Sequence, residues 1–321
     1  MKSAFRLTLT MVCLAAAALS AQAAPAVFDT GLIRMGVGDT GGLGQGGVGT
    51  GLFGPTGDAI LPGCLCEGWG AAASGTGNFT YGNGATVGFT ASTTSTNGIN
   101  GVGLGGSTVS TLANGLTVTH TYSYAAGGKL FKVAIGMKNT TAGLVTDVRY
   151  ARTLDWDVTP GFFSNNFTTV FGGAGGASTP GDKLLHTSTD PFAAPDPMVF
   201  RGQDANLNVA NSPGDEGSYF VFGFGNLAAG DSVFYDTYIG ADSTVTGLLA
   251  ALNSVGVEAY SFTTGSGTGS DGRRGPAYGY GFVGLGLPPA LEPPVRVPEP
   301  GSLALAGLAL MGLVAARRRK A

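Results

Sequence analysis

Alternation with a period of two constrains this chain more than any other feature. In "GLTVTHTYSYAAGGKLFKVAIGMKN", Leu116, Val118, His120, Tyr122 and Tyr124 fall on one face, and Thr117, Thr119, Thr121 and Ser123 on the other. Successive side chains of a strand point to opposite faces, so the pattern reads as a strand with one face toward a core. Phe131, Val133, Ile135 and Met137 repeat it after the AAGG turn, which predicts an antiparallel hairpin. "VTDVRYARTLDWDVTP" alternates again, with Val148, Tyr150, Leu154, Trp156 and Val158 against Arg149, Thr153, Asp155 and Asp157. "PMVFRG", "SYFVFGFGN", "DSVFYDTYIG", "VEAYSF" and "YGYGFVGLG" are further strand candidates. Only "DSTVTGLLAALNSVG" departs from the pattern. Its Asp/Ser start, its Leu248, Leu249 and Leu252, and its closing glycine predict a short amphipathic helix. The expected fold is all-β, an antiparallel β-sandwich with one short helix.

Glycine supplies 57 of 321 residues, which raises the question of whether a core forms at all. The glycines have no three-residue period and prolines number 16, so collagen is excluded. Leu, Ile, Val and Phe are frequent enough to pack, and only 12% of residues are charged. The dense stretch "MGVGDTGGLGQGGVGTGLFGPTGDAILPG" reads as loops around short β segments. The pattern G-x-G-x-x-G recurs, for example at Gly36, Gly38 and Gly41, but no match opens a helix, so it implies no dinucleotide site. No cofactor is expected.

The ends of the chain read as addresses. "MKSAFRLTLTMVCLAAAALSAQAAPA" has a basic start at Lys2 and Arg6, an apolar stretch, and a small-x-small site with cleavage between Ala23 and Ala24. Residues 1–23 are therefore expected to be a secretory signal peptide removed by signal peptidase. At the other end, "VPEPGSLALAGLALMGLVAARRRKA" joins a rigid proline pair, sixteen small apolar residues and a basic cluster. Gly301 to Ala316 would make about 24 Å of helix against about 30 Å of hydrocarbon, a marginal single transmembrane span. The basic cluster Arg317, Arg318 and Arg319 should stay cytoplasmic, leaving the body outside. With Lys2, Arg6 and Lys320 these arginines hold six of the 17 basic residues, so the body between the ends is net acidic. That body offers no electrostatic footprint for nucleic acid.

The tail resembles the PEP-CTERM sorting signal of Gram-negative bacteria, which is read by membrane enzymes called exosortases. Val297, Pro298, Glu299 and Pro300 match the motif, residues 301–316 the apolar helix, and Arg317 to Arg319 the stop. The two prolines forbid helix and hold Glu299 extended outside the membrane, where a processing enzyme could grip it. The resemblance implies an exosortase-type partner and a product at the cell envelope, surface or extracellular matrix. The predicted organisation is residues 1–23 signal peptide, 24–287 β-sandwich body, 288–296 Pro-rich spacer and 297–321 sorting signal, ending in the basic tail 317–321. The stretches "PGCLCEGWGAA", "VRYARTLDWDV" and "GLLAALNSVGVEAYSF" resemble an ectodomain of exported bacterial proteins carrying the same tail. That resemblance implies no activity.

Candidate chemistry within the body is sparse. Cys64 and Cys66 form a C-x-C whose expected state is a small disulfide or paired thiols, the alternative being a redox or metal role. Asp155 and Asp157 share a strand face about 7 Å apart. They read as a solvated face with Arg149 in the same row, or else as glycosidase-like paired carboxylates or calcium ligands. His120 is expected half-buried on an apolar face, and His186 suggests nothing. Phe220, Phe222, Phe224, Phe234, Tyr235 and Tyr238 read as packing. No G-x-S-x-G, H-E-x-x-H or P-loop pattern occurs. The expectation is a non-enzymatic surface or matrix protein. The alternatives are a carbohydrate-binding or carbohydrate-active domain working on extracellular polysaccharide, and a calcium-dependent adhesin.

Overall fold

A computed structural model describes residues 26–96, 105–125, 127–163, 166–172, 183–201, 208–265 and 275–291. It is mostly β, with three antiparallel sheets and one short helix. The glycine-dense start builds a small sheet from β1 (Ala26–Asp29), β2 (Arg34–Val37), β3 (Leu52–Gly54) and β4 (Gly57–Asp58). Next, β5 (Glu67–Ala73), β6 (Thr76–Tyr81) and β7 (Thr86–Val87) form one side of a six-stranded sheet. The chain then crosses to a nine-stranded sheet through β8 (Phe89–Thr96), β9 (Gly106–Leu112), β10 (Leu116–Tyr124) and β11 (Leu130–Asn139).

From there the strands alternate between the two large sheets until the last two, which both stay in the nine-stranded one. Strands β12 (Val145–Asp155), β14 (Leu184–Ser188) and β16 (Gly217–Leu227) complete the six-stranded sheet, in the order β14-β16-β12-β5-β6-β7. Strands β13 (Asn166–Phe171), β15 (Asn208–Gly214), β17 (Ser232–Asp242), β18 (Ala259–Thr264) and β19 (Ala277–Val283) complete the other. Its order is β15-β13-β18-β19-β17-β11-β10-β9-β8. Helix α1 (Val245–Ser254) follows β17.

The hairpin expected from the alternation is present. Strands β10 and β11 pair with Val118 opposite Met137, His120 opposite Ile135 and Tyr122 opposite Val133, and the inward residues of both are buried. Inward rings from the two large sheets meet across a shared core. The Trp69 ring lies 4.6 Å from His120, Tyr150 lies 5.3 Å from Tyr235, and Phe222 lies 4.6 Å from Phe282. Burial of such rings is the main stabilising term, each worth about 1.5–3 kcal/mol when fully removed from water. The helix forms where the leucine spacing put it, although its N-cap is Thr244 and not Asp242 or Ser243. The Thr244 hydroxyl accepts from the Gly247 amide, while Asp242 in turn accepts from the Thr244 amide and hydroxyl. Leu248 and Leu252 are buried in a second cluster over the outer face of β18 and β19, together with Val257, Tyr260 and Phe262.

Two expectations fail. "PMVFRG" is not a strand: residues 197–201 form a turn and irregular chain packed over β16. Pro195 and Pro197 cannot donate to a ladder, and the Tyr219 hydroxyl donates instead to the Asp196 and Val199 carbonyls. Phe234 is 72% exposed, because it lies on the outer face of the nine-stranded sheet over Gly136, beyond the cover of α1. Phe220, Phe222 and Tyr235 are core, as expected, and Phe224 packs against it.

Among the described residues no helix is long and apolar enough to cross a membrane. The predicted signal site at Ala23 and Ala24, the motif Val297 to Pro300, the helix 301–316 and Arg317 to Arg319 all lie outside those residues. The first residues of the predicted spacer turn back onto the body. The Ala290 amide donates to the Val257 carbonyl, and Ala290 and Leu291 pack on the cluster around α1.

Candidate functional site

Strand β12 carries the unusual chemistry of the molecule. From Tyr150 to Asp155 every residue is buried, so the strand has cover on both faces and not on one. Asp155 is 2% exposed and Asp157 0%, which overturns their expected place on a solvated face. The cover comes from two segments. The Asp155 amide donates to the Cys66 carbonyl and the Asp157 amide to the Ala59 carbonyl, which seats the 59–66 loop on this end of the strand. Next to it, residues 189–201 lie over Thr153: the Thr153 hydroxyl reaches the Pro191 carbonyl, and the Arg201 guanidinium donates to the Thr153 hydroxyl.

Arg149 does not serve the two aspartates either. It forms a bidentate pair with Asp147, with contacts of 2.8 and 2.7 Å. The aspartates instead meet Asp215, from the turn between β15 and β16. One carboxylate oxygen from each of Asp155, Asp157 and Asp215 lies within 4.8 Å of the other two. Asp215 is exposed and forms the solvent side of the cluster. Among the described residues no donor reaches Asp155 Oδ1 or either oxygen of Asp157. Burial pushes the Asp155 carboxyl up to about 7, with Asp215 adding to the shift. Burial likewise raises Asp157 to about 8, with the neighbouring Asp155 and Asp215 adding to it. Gly63 closes the cluster on one side. Its φ of +73° suits glycine, and a Cβ there would sit 2.8 Å from Asp157 Oδ2 and against the Phe163 ring.

Cys64 and Cys66 are joined in a disulfide, their Cα atoms 5.1 Å apart. The Cys64 sulfur lies 3.4 Å from Asp155 Oδ2, so the bridge borders the acidic cluster directly. The same two sulfurs and Asp155 would form a second group of close donor atoms if reduced.

A second buried ionisable group lies on the opposite face of β12. Arg152 is 1% exposed, in the row of Tyr150 and Leu154, and its Nη2 donates to Glu67 Oε1. Glu67 Oε2 accepts from the Leu43 amide at 2.6 Å and from Gln45 Nε2 at 3.4 Å. The pair thereby pins the glycine-dense loop to the core. Burial pushes the Glu67 carboxyl up, while the Arg152 charge and the Leu43 amide pull it back. Burial also opposes the Arg152 charge, and Glu67 more than offsets that. His120 is fully buried, with Nε2 3.2 Å from the Tyr150 hydroxyl and its ring against Trp69. Burial first, and the Arg152 charge second, hold it well below the usual histidine range, so it is neutral. His186 is 8% exposed and stacks on Phe200, its Nε2 2.7 Å from the Arg201 carbonyl.

A cavity of about 560 Å³ lies between the small sheet and α1, lined by Ile33, Lys129, Asp242 and Thr244 among others. Its ionic groups pair with each other, Lys129 to Asp242 at 2.5 Å, and Asp242 also serves the helix cap. Those contacts account for the residues without a ligand.

The structure thus defines an all-β body with an acidic cluster under cover. Residues 296–320 match the PEP-CTERM protein-sorting motif, so the chain carries the sorting signal that its ending resembled. That signal is processed by exosortase and directs its bearer to the cell envelope or surface. No curated protein matches the chain.

Proposed function

We propose that the chain is a non-enzymatic structural or adhesive component of the cell surface or extracellular matrix. It is exported by its N-terminal leader and released from, or attached outside, the inner membrane of a Gram-negative cell after exosortase acts on Val297 to Pro300. The observation that carries this reading is the sorting motif at residues 296–320. An antiparallel β-sandwich body supports it, with rings buried inside and, on β10, a Thr and Ser row facing outward. The burial of Asp155 and Asp157 beneath Gly63 and Phe163 weighs against a pair of carboxylates working on a sugar in an open cleft. Exposed Phe234 is the feature that favours polysaccharide binding as the alternative.

Replacing Pro298, Glu299 and Pro300 with alanine tests the sorting step. Intact mass of the protein recovered from envelope and medium should then show a retained RRRKA end, where the wild-type chain ends near residues 297–301. Normal removal of the tail from the alanine variant would overturn the reading.

A further inference from the structure

We propose that Asp155, Asp157 and Asp215 bind one hard divalent cation of calcium's size. Three oxygens within 4.8 Å of one another can surround an ion at the 2.3–2.6 Å of calcium–oxygen bonds, because two ligands facing each other across it lie up to about 5 Å apart. Asp157 supplies the independent observation. It is 0% exposed, and neither of its oxygens has a hydrogen-bond partner among the described residues. A carboxyl withdrawn from water in that way either holds its proton or needs a positive charge to neutralise it. Among the described residues the arginines of this region are engaged elsewhere: Arg152 serves Glu67 on the other face, Arg149 serves Asp147, and Arg201 serves Thr153 and the Asp190 carbonyl.

The donor set selects the ion. With Cys64 and Cys66 held in a disulfide, the site offers carboxylate oxygens and no thiolate, which suits calcium and disfavours zinc. Exposed Asp215 gives an ion a path in from solvent. The ion would tie the end of β12 to the turn before β16 and hold the 59–66 loop between them. This inference is independent of the sorting signal.

The test uses the full chain, purified in detergent with its disulfide intact. Calcium at about 100 times its Kd should raise the melting temperature by roughly 5–10 °C over EDTA. Calorimetric titration should give one ion per chain, with magnesium weaker. Asp157→Asn and Asp215→Asn should each weaken calcium binding at least tenfold, and exposed Asp215 tolerates replacement even if Asp157 does not. No heat and no melting shift with calcium would overturn the proposal, as would calcium binding unchanged in Asp215→Asn. Tight zinc binding that emerges only after reduction, with no calcium response before it, would assign the chemistry to Cys64, Cys66 and Asp155 instead.

Discussion

The two faces of β12 solve the same problem in opposite ways. On one face Arg152 and Glu67 are buried, and both carboxylate oxygens of Glu67 have donors. On the other, Asp155 and Asp157 are equally buried, and three of their four oxygens have none. Although Arg152 Nε has no hydrogen-bond partner among the described residues, a buried charge facing an opposite charge is a structural strut. A buried acidic group without an opposite charge is not, and the difference separates a fixture of the fold from the cation site proposed above.

Breaking the strut should have the largest effect. Arg152→Met leaves Glu67 buried without its cation and unpins the Leu43–Gln45 loop, so unfolding in denaturant should show a loss of about 3–5 kcal/mol. The double change Glu67→Gln with Arg152→Met should lose clearly less than that. Equal losses in the single and double variants would mean that the pair does not act as a unit.

Burial of His120, reinforced by the Arg152 charge, shapes the pH response. His120 is held neutral in the folded protein, while the unfolded chain takes a proton near pH 6.5. The unfolded state therefore binds more protons below that point. Stability contributed by neutral His120 is present above pH 6.5 and is lost as pH falls toward the lower folded value. His120's own share, read as wild type minus His120→Gln, should approach about 1.4 kcal/mol per pH unit between pH 6.5 and 5, whereas Asp155 and Asp157, raised to about 7 and 8, slope the other way. A curve unchanged by the substitution would show that carboxylates alone set the acid limb.

How much of this could be read in the sequence follows from the same strand. Alternation marked β10 and β11 cleanly because their outward face, the Thr117–Ser123 row, is only partly covered. In β12 the same pattern put Asp155 and Asp157 outside, because alternation reports which face is apolar and not whether the other face is covered. The sequence does hold one signal of that cover: Arg152 stands in the apolar row between Tyr150 and Leu154. A cation there needs a buried acid, and Glu67 was available in "CLCEGWG". Asp215 had no such signal, since a fold-level crossing brings it to Asp155 from sixty residues away. The sorting tail was legible for a different reason. Its motif, apolar run and basic cluster are contiguous in the chain, so its information is linear.

The smallest effect expected would sharpen the comparison most. In EDTA above pH 8, where Asp157 ionises, Asp157→Asn removes one of three mutually repelling carboxylates and leaves a neutral amide of the same size, so the variant should gain on the order of 1 kcal/mol over wild type. In saturating calcium the order should invert, because only the wild-type chain gains the energy of the bound ion. Arg152→Met should show no such inversion: it destabilises in either solution, as the strut has no ligand to lose. A sign that changes with calcium on one face of β12 and stays constant on the other would establish that the two buried groups differ in kind. The same sign in both solutions for Asp157→Asn would make the acidic cluster a second, weaker strut and erase the distinction.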